Sequence, residues 1–153
     1  MRRQLPSDRM DKFIKILNEV RKDSRFDESR NFIQHGKTTV RSHCINVAHT
    51  AYYMCYRLNI NVREEELIRG ALLHDYFLYD WHEHNLVNSI HGFTHPGKAL
   101  KNAREDFELS ATERDMIKHH MFPLTPKPPK SLEGKILCIA DKLCALKETV
   151  ERR

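Results

Sequence analysis

Apolar positions recur at three- and four-residue spacing through most of this chain, and the runs break at cap and turn residues. That pattern predicts helices. The first spans 8–21, with Met10, Phe13, Ile14, Leu17 and Val20 on one stripe and Asp8 as its cap. Residues 22–40 are polar and mixed, anchored by Phe26, Phe32 and Ile33, with a turn at Gly36. A short helix around 27–34 fits there but has no clear period. The second long helix is expected over 41–58, where His43, Val47, Thr50, Met54 and Leu58 share a face. His49 faces Ile45 and Tyr53 instead and reads as structural. Asn61-Val62-Arg63-Glu64 reads as a capping box. The helix it opens runs through Leu67, Ile68, Ala71 and Leu72 to His74-Asp75. Gly70 inside it predicts a close helix crossing, because glycine there costs about 1 kcal/mol of helix propensity.

The stretch 76–94 is aromatic, His-rich and irregular; it suits a wall or lid over a site as well as a packed connection. Thr94-His95-Pro96 then opens a helix with Thr94 as cap and proline in the first turn. Ala99, Leu100, Ala103 and Phe107 continue its buried side. Ser110-Ala111-Thr112-Glu113 matches a capping box. On the helix behind it Met116, Ile117 and His120 share the apolar side, while His119 lies with Thr112 and Asp115. Residues 123–130 are proline-rich and predict an extended linker too short to separate domains. Ser131 caps the last helix, 131–149, where Asp141 lies with Leu137, Cys138 and Ala145 and is expected to be buried. No strand alternation, repeat or low-complexity segment appears. The expected fold is all-α, a helical bundle forming one domain over 1–153, with its core at about 35–148.

Composition narrows the classes. The net charge of +5 is spread along the chain rather than gathered in one basic block, and no basic–aromatic interleaving marks a nucleic-acid surface. The charge suits small anionic substrates. No apolar run is long enough to span a bilayer, and no apolar signal region follows the basic N-terminus, so a cytoplasmic protein is expected. Cys44, Cys55, Cys138 and Cys144 form no C-x-x-C pair and lie in apolar helical stretches, as reduced core thiols do. Ten histidines is a high count, and all of them fall between 35 and 120.

The chemistry gathers around Leu72-Leu73-His74-Asp75. Two strong metal ligands stand side by side at a helix end, where the backbone loosens enough for both to turn to one point. His43 lies upstream; His95, His120 and Asp141 follow, on apolar faces or helix ends where an unpaired polar group is costly. His119 is a neighbouring candidate. Imidazole and carboxylate ligands suit Fe, Mn, Zn, Co or Ni, as one or two divalent ions.

The order His43, His74-Asp75, His95, His120, Asp141 resembles the HD-domain superfamily of metal-dependent phosphohydrolases. The resemblance covers roughly 35–148. It rests on Arg41-Ser42-His43, Gly70-Ala71-Leu72-Leu73-His74-Asp75, His95-Pro96-Gly97 and Ile139-Ala140-Asp141-Lys142. It implies a helical bundle whose first metal is held by His43, His74, Asp75 and Asp141. Asp75 would bridge to a second metal held by His95 and His120. It also implies hydrolysis of a phosphate mono- or diester of a nucleotide or other small molecule, by metal-activated water that Asp75 orients or deprotonates. Arg41, Lys98 and Lys142 are candidate phosphate-binding cations. Tyr76-Phe77-Leu78-Tyr79-Asp80 stands where many such hydrolases carry a Lys or Arg, and the glycine-tyrosine-proline motif of the cyclic-di-GMP branch is absent. Two alternatives share the fold: a di-iron oxygenase and a non-catalytic metal- or ligand-binding module. Self-association into a homo-oligomer is left open.

Overall fold

The computed structural model describes residues 4–77 and 91–151, without the side chains of residue 35 and residues 91–93. Helices dominate: α1 (Ser7–Arg21), α2 (Val40–Arg57), α3 (Glu64–Leu73), α4 (His91–Asp106), α5 (Ala111–His119) and α6 (Leu132–Val150). The all-α expectation holds, with a small addition. Between α1 and α2 lie a 3₁₀ turn (Phe26–Asn31) and a two-stranded antiparallel hairpin, β1 (Ile33–His35) with β2 (Thr38–Thr39). Period-2 alternation could not reveal strands this short. Gly36 supplies their turn at φ 58°, the left-handed region glycine enters without strain.

Helix α3 is the central element. Leu67, Ile68, Ala71, Leu72 and Leu73 are fully buried, as expected of a helix apolar on most of its surface. Helices α1, α2, α5 and α6 pack around it. Each fully buried Leu or Ile contributes about 1.5–3 kcal/mol, so the end of α3 is firmly held. Gly70 does mark a close crossing: a Cβ there would stand 2.4 Å from Met116 Sδ on α5.

Several boundaries and faces differ from the sequence reading. Pro6, not Asp8, precedes α1, and no side chain caps that helix; Asp8 sits in its first turn, where its charge still favours the N-terminus. The buried face of α1 is Phe13, Ile16 and Val20, with Ile14 exposed. Helix α2 is capped by Thr39, whose hydroxyl accepts from the Ser42 N–H, and its buried face runs through Cys44, Ala48, Ala51 and Cys55 as well as His43, Val47 and Thr50. Leu58 is exposed, because α2 has ended.

Asn61 does not cap α3. The helix begins at Glu64, and Glu133 Oε1 accepts from the Arg63 N–H at 2.9 Å. Helix α4 starts at His91, so Thr94 and Pro96 lie inside it. The start of the expected extended linker, 123–130, is folded instead into turns, with the Leu124 and Thr125 amides donating to the Met121 carbonyl, while 127–129 have no turn or helix. The capping box at Ser110 and the Ser131 cap are present as read. The four cysteines are free and buried. No helix among the described residues is long and apolar enough to cross a membrane. Residues 78–90, where a wall or lid was expected, lie outside the described residues.

Candidate metal centre

Six polar side chains meet at the end of α3. His74 is the residue after the last helical turn, with φ −62° and ψ −31°, and Asp75 follows it. His43 comes from the second turn of α2, Asp141 from the middle of α6, His95 from α4, and His120 from the residue that ends α5. All six are at most 9% exposed. The sequence reading named each of them, and the structure brings them together.

Their donor atoms form two groups that share Asp75. One atom each from His43, His74, Asp75 and Asp141 lie within 4.8 Å of one another, and the same holds for Asp75, His95 and His120. Asp75 faces both groups with different oxygens. Its Oδ2 stands 3.3 Å from His74 Nε2 and 3.6 Å from His43 Nε2. Its Oδ1 stands 3.1 Å from His95 Nε2 and 3.2 Å from His120 Nε2. Asp141 Oδ1 lies 3.0 Å from His43 Nε2 and 3.4 Å from His74 Nε2. Donors held at about 2.1 Å from one ion stand roughly 3.0–3.4 Å apart at octahedral or tetrahedral angles. The spacing fits.

The back sides of the imidazoles are tied down. His74 Nδ1–H donates to the Ala71 carbonyl at 2.6 Å, and His120 Nδ1–H to the Ile117 carbonyl at 2.7 Å. Each bond joins a residue to the carbonyl three positions earlier, which the loosened end of a helix leaves available. It fixes the tautomer whose Nε2 lone pair faces the cluster. His43 Nδ1 is bound by the Glu148 carboxylate at 2.8 Å. Gln34 of β1 donates Nε2–H to Asp75 Oδ2 at 2.7 Å. The sequence reading missed both partners. Glu148 follows Asp141 by seven residues, two turns along one helix face, and that spacing could have found it; Gln34 sits in an irregular hairpin with no period to betray it.

Protonation equilibria show the same convergence. Burial opposes charge on His43, but Asp141 and Glu148 outweigh it and lift its pKa to about 10. His74 is likewise raised against burial, chiefly by Asp75. Burial opposes ionisation of Asp75 and Asp141 too, yet the facing imidazoles hold both below the usual carboxylate range. His120 is pushed down by burial. Even so, His74 Nε2 and Asp75 Oδ1 are buried without a hydrogen bond. A site this rich in carboxylate and imidazole lone pairs calls for cations, and the donor set fits divalent transition ions.

The basic candidates are placed differently. Arg41 Nε pairs with Asp27 Oδ1 at 3.0 Å. Lys142 is exposed, its Nζ 3.4 Å from the Cys138 carbonyl. Lys98 is half-buried on α4, one turn beyond His95. His119 bonds Asp115 at 3.1 Å, and Asp115 also accepts from the Lys130 and Ser131 amides. That network ties the start of α6 to α5. His49 packs edge-on against Phe13 and stacks on Tyr53, as a structural residue does.

A family model described as HD domain matches residues 40–146. No curated protein matches the chain. No solved structure matches it. Gln34 and Glu148 lie just outside the matched span.

Proposed function

Because the chain belongs to the HD-domain family, we propose that it is a metal-dependent phosphohydrolase with a two-ion centre, acting on a phosphate mono- or diester of a nucleotide or other small molecule. One observation carries the two-ion form of this reading: the two oxygens of Asp75 face separate groups of imidazoles. His43, His74, Asp75 and Asp141 would hold one ion; Asp75, His95 and His120 would hold the other. Ions so bound supply an acidified water and positive charge for the phosphoryl oxygens.

The protein supplies the rest. Its backbone carbonyls at Ala71 and Ile117 keep two imidazoles in the ligating tautomer. Glu148 does the same for His43 and adds negative charge behind the ring. Gln34 occupies one lone pair of Asp75 Oδ2, limiting how that carboxylate can rotate. Arg41, Lys98 and Lys142 are cations to test on the phosphate side. For Arg41 that role requires leaving Asp27.

The test is metal content per chain after purification without added metal or chelator, followed by a screen of phosphate mono- and diesters. We expect about two equivalents of transition metal and turnover that Asp141→Asn reduces together with bound metal. Full metal and full turnover in Asp141→Asn would overturn the assigned site. Metal without hydrolysis, but with oxygen uptake, would replace the phosphohydrolase by an oxygenase. Metal with neither activity would leave a binding module.

A further inference from the structure

Helix α6 has two apolar faces, and the bundle uses one. Leu137, Ala140 and Cys144 point into the core beside Asp141 and Glu148. On the other side Leu132, Ile139, Leu143, Leu146 and Val150 are 46–64% exposed. Scattered apolar residues on a surface are ordinary, but a contiguous row is not. These five follow gaps of seven, four, three and four residues, the heptad spacing of a helix–helix seam. At 100° per residue they fall within an arc of about 60°. That is narrower than the stripe of roughly 100° or more by which an amphipathic helix faces a core. The shape therefore favours one helix as the occupant.

The flanking charges say which kind. Lys135 and Lys142 border the row on one side and Lys147 on the other, all exposed. Glu133 and Glu148 are buried, and the exposed Glu151 is already 3.8 Å from Lys147. A second copy is a poor match. A parallel pair in register sets Lys142 beside Lys147 of the other copy, the flanking contact of a parallel coiled coil. An antiparallel pair sets each flank against the same flank of the other copy; layering Leu143 on Leu146 leaves the two Lys142 side chains about 7.5 Å apart along the axis, and the two Lys147 likewise. The antiparallel register that layers Ile139 on Leu143 brings the two Lys142 side chains within about 3 Å of each other along the axis. Each arrangement stacks like charges. We propose that this face docks an amphipathic helix of a partner protein whose apolar seam is flanked by Glu or Asp. The net charge of +5 would add long-range attraction for such a partner. The inference is independent of the metal chemistry.

Two synthetic three-heptad peptides test it, both with Leu at the seam positions, one flanked by Glu and the other by Lys. Like flanking charges keep each from pairing with itself. Fluorescence anisotropy on the full chain should show micromolar binding of the Glu-flanked peptide at about 20 mM salt, weakened at least tenfold at about 300 mM. The Lys-flanked peptide should not bind. Leu143→Ser and Ile139→Ser, both at exposed positions, should each weaken binding at least tenfold with unchanged helicity and metal content. Equal binding of both peptides, or none of either, would overturn the proposal. So would binding untouched by both substitutions. A wild-type dimer that Leu143→Ser dissociates in sedimentation would assign the face to a second copy instead. Leu143-dependent binding to phosphatidylserine vesicles without peptide binding would assign it to a membrane surface.

Discussion

Glu148 is the residue whose contribution is most easily isolated. It acts on the site through His43, whose Nδ1 it holds at 2.8 Å. Carboxylates behind a ligating histidine are worth about 10–100-fold in metal affinity. Glu148→Gln keeps the shape and one hydrogen bond but removes the charge, so we expect the lower part of that range, measured by competition with a chromophoric chelator. An unchanged affinity would reduce Glu148 to packing. The metal-free protein should also carry a distinctive pH dependence. His43 is raised to about 10, so its stabilisation is full below the unfolded value of about 6.5 and fades as pH climbs toward 10. Asp75 and Asp141 are lowered, so theirs is full above about 4 and fades in acid. Burial lowers His120 and His49, so their stabilisation is full above about 6.5 and fades as pH falls below it. Thermal unfolding of the chelated protein should therefore be highest near about pH 6.5. Metal affinity should run the other way on the alkaline side, rising as protons leave the imidazoles. A chelated protein whose melting temperature rises from pH 7 to 9 would contradict the charge assignment. All six ligand candidates were legible in the sequence because each is a polar residue on an otherwise apolar face or helix end. The hydrogen bonds behind them were not, because they depend on how the hairpin and the end of α6 close over α2.

Elements matter here by how accurately they deliver ligands. Helix α5 carries His120 at its end, and its start is fixed by the reciprocal Ser110–Glu113 capping box. Ser110→Ala should cost about 1 kcal/mol in denaturant unfolding and leave the metal count unchanged, since His120 is also held by the Ile117 carbonyl. Loss of metal in that variant would mean that the cap, and not the packing of α5 on α3, positions His120. At the crossing itself, Gly70→Ala would drive a methyl to within 2.4 Å of Met116 Sδ. The gain of about 1 kcal/mol in helix propensity is outweighed if Met116, fully buried, must repack at about 1–3 kcal/mol. The variant should be destabilised by about 1 kcal/mol, read from the denaturant midpoint. Cap signals read well where the cap starts the helix, as at Ser110 and Ser131. They failed at Asn61 and Thr94, because Glu133 anchors the chain at Arg63 and α4 begins a turn before its proline. The face of α1 was misjudged at Ile14 for a related reason: a stripe of mixed Ile and Leu leaves two adjacent rotations equally apolar, and only packing on α3 chooses Ile16.

Across the molecule, the site joins what the core separates. His43, His74-Asp75, His95, His120 and Asp141 come from α2, the ends of α3 and α5, α4 and α6, and Gln34 adds the hairpin. Without ions this convergence sets buried carboxylates against buried imidazoles and leaves His74 Nε2 and Asp75 Oδ1 without hydrogen bonds. Such groups cost free energy in the folded state, so the fold should be markedly more stable with its ions bound. An ion at a hundred times its dissociation constant adds about 2.7 kcal/mol. For a chain of this size that raises the melting temperature by about 5–10 °C. Calorimetry before and after chelation should show that difference. Asp75→Asn, which removes the charge shared by both groups, should abolish most of it. The alternative outcome is informative about the architecture itself. If chelation leaves the melting temperature unchanged while metal is removed, the apolar packing around α3 alone determines stability, and the six residues are held in place for ligand binding without contributing to the fold.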